Sequence, residues 1–92
     1  MRLVEFKKSF DRTYRKLPLK DQLKVDQAVG NFLKSLEDRV IPQGVGLKRL
    51  QDDQWEMRVD LSLRVAFRMH KDLVEFAVVG DHEAIKRFLK NS

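Results

Sequence analysis

Trp55-Glu56-Met57-Arg58-Val59-Asp60 and Arg64-Val65-Ala66-Phe67-Arg68-Met69 decide the fold, because both runs alternate apolar with charged or small residues at a period of two. Successive side chains of a β-strand point to opposite faces, so Trp55, Met57, Val59, Val65, Phe67 and Met69 share a core face. Glu56, Arg58, Asp60, Arg64, Ala66 and Arg68 share the other. The more apolar run from Leu73 to Val79 reads as a further strand. Leu47-Lys48-Arg49-Leu50 reads as a short strand ahead of the polar turn Gln51-Asp52-Asp53-Gln54. A small antiparallel meander follows.

Opposed residues in an antiparallel pair point to the same face, so the alternation also predicts a register. A three-residue loop at 61–63 sets Val59 against Val65, Met57 against Phe67 and Trp55 against Met69. On the other face it sets Asp60 against Arg64, Arg58 against Ala66 and Glu56 against Arg68. A two-residue loop at Lys71 and Asp72 sets Phe67 against Phe76, Val65 against Val78 and Arg68 against Glu75. Arg68 then lies between Glu56 and Glu75, a sufficient structural reason for it, whereas Arg58 faces only alanine.

Upstream of the meander the period is that of a helix. Residues 2–6 read as a short strand, and Phe6, Phe10, Tyr14 and Leu17 form one helical stripe. Pro18 makes a corner, since it disfavours helix at the residue before it and suits the start of the next. Leu23, Ala28, Val29, Phe32, Leu33, Leu36 and Val40 then mark a second, longer helix that tolerates Gly30. Pro42, Gly44 and Gly46 end the helical pattern. At the far end Gly80-Asp81 closes the sheet with a helix N-cap, and Ile85, Phe88 and Leu89 form the buried stripe of a closing helix to about Asn91. The predicted fold is α+β: an N-terminal strand and helical hairpin packed on a small antiparallel meander, with a short C-terminal helix, as one domain over residues 1–92.

The composition agrees. The chain has 92 residues, no cysteine, 42% hydrophobic and 36% charged residues. That excludes a disulfide framework and a thiolate metal site. Apolar stretches are too short for a membrane span or a signal-peptide core, which makes the cytoplasm the expected location. The formal net charge of +5 favours a polyanionic or acidic partner. Two histidines without cysteine argue against zinc, and no spaced carboxylates suggest magnesium or calcium, so no metal or other cofactor is expected.

The polar face of the meander gathers Glu56, Arg58 and Arg64, with Lys48 and Arg49 on the preceding segment and His82 just past the last strand. For phosphodiester chemistry the set is coherent, because guanidinium groups bind phosphate and neutralise its developing charge while a carboxylate or imidazole moves the proton. A solvated sheet face stitched by ion pairs accounts for the same residues. Phe88 has two readings, packing on the sheet or stacking on a base. The basic helical hairpin has two as well, a solvated face or a footprint on RNA.

As a whole the pattern resembles the RelE/ParE superfamily of toxins from bacterial type II toxin–antitoxin modules. The likeness runs from the strand and hairpin through Leu47-Lys48-Arg49-Leu50, Trp55 to Asp60 and Leu63 to Phe67, to Val79-Gly80-Asp81-His82-Glu83 and the last helix. RelE-like members are ribosome-dependent endoribonucleases that cut mRNA, whereas ParE-like members inhibit DNA gyrase. The resemblance implies phosphate-holding roles for Arg58 and Arg64 and a proton-transfer role for His82. Glu56 falls where some members have lysine, as a base or as the partner of Arg68. Phe88 matches a position that is tyrosine in RelE, able to stack but not to transfer a proton. The implied activity is metal-independent mRNA cleavage, with Lys48, Arg49 and Phe88 on the RNA; the alternative is gyrase inhibition without nuclease activity. Implied partners are a cognate acidic antitoxin, in a toxin–antitoxin hetero-oligomer, and the ribosome with its mRNA.

Overall fold

The computed structural model describes residues 3–38 and 46–91. Its elements run β1 (Leu3–Phe6), α1 (Lys8–Arg15), α2 (Leu19–Asp38), β2 (Lys48–Gln51), β3 (Gln54–Arg58), β4 (Arg64–His70), β5 (Leu73–Gly80) and α3 (His82–Lys90). The α+β architecture is the expected one. Val40, Pro42 and Gly44, part of the expected helix end and break, lie outside the described residues.

The strands form one sheet in the order β1-β5-β4-β3-β2. The meander β2 to β5 is antiparallel, and β1 adds a parallel edge by pairing Leu3 to Phe6 with Leu73 to Phe76 of β5. The hairpin of α1 and α2 covers one face. Pro18 supplies the corner, its carbonyl accepting from the Asp21 and Gln22 amides at 3.0 Å. Gln22 Nε2 reaches back to the carbonyls of Tyr14 and Leu17 at 3.1 and 3.2 Å, satisfying acceptors that a helix end leaves open. The core between hairpin and sheet is built on Val25, Val29 and Phe32 of α2, Phe10 of α1, and Met57, Val65, Phe67, Val74, Phe76 and Val79 of the strands. Phe32 and Phe67 meet at 4.8 Å between ring centroids, and Phe67 lies directly opposite Phe76. Trp55 is half-buried against this core.

The closing helix α3 lies on the other face of the sheet. Ile85 is buried there against Ala66 and Val78, with Leu50, Phe88 and Leu89 around them. Small Ala66 on the otherwise charged face is what admits the helix. Part of the face expected to be solvated is therefore a second small core.

Two registers differ from those predicted. Residues 59–63 form the β3–β4 connection, closed by the Val59 amide on the Leu63 carbonyl at 2.8 Å and by Asp60 Oδ1 accepting from the Ser62 and Leu63 amides at 2.9 and 2.8 Å. This longer turn shifts the pairing by two residues. Arg58 faces Arg64 rather than Ala66, Glu56 faces Ala66 rather than Arg68, and Trp55 faces Phe67 rather than Met69. An even shift preserves the faces and changes the partners. In β5 a bulge between Phe76 and Val78 sets Val65 against Val79 rather than Val78, while Phe67–Phe76 and Arg68–Glu75 pair as predicted.

The bulge coincides with a change of neighbour. β1 ends opposite Phe76, and α1 takes over along the β5 edge. Ser9 Oγ donates to the Ala77 carbonyl, and the Val79 amide donates to Thr13 Oγ1 at 3.1 Å. Two helix hydroxyls thus supply hydrogen bonds that a neighbouring strand would otherwise make.

Candidate active site

The shifted register assembles the site. Arg58 ends β3, Arg64 opens β4, and they stand directly opposite each other on the face away from the hairpin. Gly80, the last residue of β5, pairs with Arg64 on its other side. The chain then turns through Asp81 into α3, whose first residue is His82. Arg58, Arg64 and the exposed His82 therefore belong to one end of the sheet.

Glycines permit the close approaches there. A β-carbon on Gly80 would lie 2.7 Å from Cβ of Ala84, so only glycine lets α3 start tightly on the end of β5. Asp81 caps that helix, its Oδ1 accepting from the Ala84 amide at 2.8 Å. Gly46, at φ +63°, passes over the arginine at the end of β3, where a β-carbon would sit 3.2 Å from Cβ of Arg58.

Glu56 is diagonal to Arg64 across the β3–β4 pair and only 5% exposed. Its Oε2 lies 3.6 Å from Nη1 of Arg64. A buried carboxylate requires such a partner. Arg64 is itself largely buried, with its side chain 16% exposed, and its Nε has no hydrogen-bond partner. Arg58 is exposed and forms no ion pair among the described residues. Like charges directly opposite one another destabilise a sheet. The pair is half neutralised by Glu56 and otherwise open to an anion.

The other expected site residues separate. Lys48 is opposite Glu56 on β2 and shares the face of the arginines. Arg49, its neighbour, belongs to the opposite face, opposite Trp55, and its Nε donates to the Asp52 carbonyl at 2.7 Å. Phe88 is partly buried in the α3 core, which favours packing over stacking. Arg68 is at the far end of β4, paired with Asp53 at 3.1 Å and Glu75 at 3.7 Å and not with Glu56. That pairing holds the Asp53 carboxyl below its ordinary range, chiefly through the Arg68 hydrogen bond. His70, also exposed, has Nδ1 4.0 Å from the same carboxylate. An open hollow between Arg49, Trp55, Arg68 and His70 lies at this end, six residues along β4 from Arg64. Among the described residues no three His, Cys, Asp or Glu side chains gather as a metal site, and no helix is long and apolar enough to cross a membrane.

Sequence reasoning singled out Arg58, Arg64 and His82 but assigned Arg58 the wrong neighbour, and it did not give Gly46 and Gly80 their part. Their only sequence signal is glycine two residues before a candidate residue, Lys48 or His82, which a chain break explains equally well.

No family model and no curated protein matches the sequence. Solved structures do match it. YafQ from E. coli strain BL21(DE3) aligns with a TM-score of 0.68 at 14% identity, over 92% of this chain and 98% of that one. The fold is that of the RelE-like toxins. A RelB–RelE antitoxin–toxin complex from Methanococcus jannaschii aligns with a TM-score of 0.70 at 12% identity, over 91% and 96% of the two chains. The toxin–antitoxin complex RelBE2 from Mycobacterium tuberculosis gives 0.65 at 21% identity, over 88% and 98%. The RelE-like fold thus accounts for nearly the whole chain.

Proposed function

We propose that this protein is the toxin of a type II toxin–antitoxin module, a metal-independent endoribonuclease that cleaves ribosome-bound mRNA in the cytoplasm. The observation that carries the reading is the opposed pair Arg58 and Arg64, held at the end of the sheet that leads into His82. Two guanidinium groups side by side suit one phosphodiester, whose charge grows as it becomes pentacovalent. The RNA 2′-oxygen attacks phosphorus as the bond to the 5′-oxygen breaks. The exposed imidazole of His82 accepts the 2′-hydroxyl proton, and the 5′-oxygen leaves protonated from solvent. Glu56, buried against Arg64, acts as counter-ion and positioning residue rather than as base. Lys48 adds positive charge on the RNA side.

The partner that silences the toxin is an acidic antitoxin that folds on it, since a basic domain suits coupled folding and binding of an acidic segment. Structures of the fold include antitoxin–toxin complexes. Mapping mRNA 5′ ends after brief expression tests the proposal. New ends inside codons of translated messages, absent for Arg58→Ala, are expected. Arrest with DNA-damage signalling and intact mRNA would replace the nuclease with a gyrase inhibitor.

A further inference from the structure

Helix α1 divides its residues sharply. Phe10, Ser9 and Thr13 face the sheet, as the core and the two β5 hydrogen bonds require. At 100° per residue Lys8, Asp11, Arg12 and Arg15 fall on the opposite arc, which carries no apolar side chain, and Lys16 caps the helix C-terminus beside it. These five residues line one surface groove of about 410 Å³. All are exposed, and none of the four cations forms an ion pair among the described residues. Residues three and four apart on a helix are about 5–6 Å apart, so the cations form a ladder about one helical turn per rung.

Where this ladder stands gives it meaning. Because α1 replaces β1 along the second half of β5, Thr13 is bonded to Val79, next to the Gly80 that pairs with Arg64. Arg64 is one strand in from the β5 edge that α1 occupies and faces away from the hairpin, so an RNA strand held there reaches the outer arc of α1 around that edge, over more than the about 15 Å of one inter-strand step and one helix diameter. At about 3.4 Å per stacked nucleotide, that path takes about five nucleotides or more.

We propose that the outer arc of α1 is a second RNA-binding surface, in which Lys8, Arg12, Arg15 and Lys16 hold the phosphate backbone of the strand engaged at Arg58 and Arg64. The inference rests on the nuclease reading and adds a length requirement to it. An RNA backbone fits better than a protein segment, because a peptide that folds on its target needs apolar anchors and this arc offers none. The contacts are to phosphate and therefore independent of base sequence.

The test uses 2′-O-methyl oligonucleotides of 4 and 14 nucleotides, which bind without being cut, and the triple variant Arg12→Gln, Arg15→Gln, Lys16→Gln. Wild type should bind the longer oligomer more tightly, and the triple variant should lose about tenfold on it while binding the shorter one unchanged. Two or three lost phosphate contacts should also flatten the salt dependence by about 1.5 to 2 in slope. The variant Arg12→Lys, Arg15→Lys should bind the long oligomer as wild type does. Arg58→Ala should weaken both oligomers. If the triple variant binds the longer oligomer as wild type does while Arg58→Ala weakens it, the α1 surface is not a site and the nuclease reading stands. Equal losses on RNA and on poly-L-glutamate would overturn the RNA assignment in favour of an unselective polyanion face. Absence of RNA binding by wild type, with Arg58→Ala without effect, would remove both readings together.

Discussion

Arg58 and Arg64 face one another across β3 and β4, two like charges in directly opposed positions, and among the described residues only Arg64 has a carboxylate beside it. A sheet optimised for stability would not keep that arrangement, so the two residues should give opposite responses to substitution. Arg58→Ala relieves repulsion and should leave stability unchanged or raise it by about 0.2–1 kcal/mol. Arg64→Ala leaves Glu56 buried without its partner and should cost about 2–3 kcal/mol. Each should slow RNA cleavage by about 10²-fold or more. Urea unfolding and cleavage rates on the same preparations check this. A clear destabilisation by Arg58→Ala would mean that the residue serves the fold.

At the other end of β4, Arg68 reports on the register. Its carboxylates are Asp53, just before β3, and Glu75 of β5, both half-buried, while Arg68 is itself exposed. A double-mutant cycle of Arg68→Ala with Asp53→Ala should give a coupling of about 0.3–1 kcal/mol. The cycle of Arg68→Ala with Glu56→Ala should give none beyond about 0.3 kcal/mol. The reverse result would restore the shorter hairpin loop.

The contrast between these two arginines shows what was legible in the sequence. Face assignment follows from a period of two, so Arg58, Arg64 and Glu56 were legible as one surface, and the helical hairpin was legible from its period and from Pro18. Register depends on loop geometry. Asp60 offers a carboxylate able to accept from amides two and three residues on, but Asp60-Leu61-Ser62 does not fix that the turn lengthens to residues 59–63. The β5 bulge was equally hidden, because what stabilises it is Ser9 and Thr13, more than sixty residues away. Ala66 did carry a usable signal: a small apolar residue between two arginines marks the place where α3 lands.

That Asp60 turn makes the fold sensitive to acid. The Ser62 amide first, then Lys24 at 3.2 Å and the Leu63 amide, hold the Asp60 carboxyl below its ordinary range. A carboxyl whose folded value is lowered contributes stability above the unfolded value of about 3.9, lost as pH falls through the folded value. Asp60→Asn should therefore melt below wild type at pH 7 by a gap that stays constant down to about pH 5 and closes below about pH 4. A gap that persists unchanged at pH 2 would show that the side chain matters through packing and not through its charge.

His82 and Phe88 share the short helix α3 and should separate chemistry from packing. His82 is exposed at the helix start, where the Asp81 cap is independent of the imidazole, so His82→Ala should change stability by no more than about 0.5 kcal/mol. In the proposed mechanism it accepts a proton, so its loss should nonetheless cost about 10²- to 10⁴-fold in cleavage. Phe88 is partly buried against the cluster of Ala66, Val78 and Ile85, so Phe88→Ala opens a gap and should cost about 1–3 kcal/mol, somewhat less than a fully buried ring. Phe88→Leu refills most of that volume and should recover both stability and cleavage. Were Phe88→Leu to melt like wild type yet cleave tenfold or more slowly, the ring would be stacking on a base, and α3 would present two residues to the RNA instead of one.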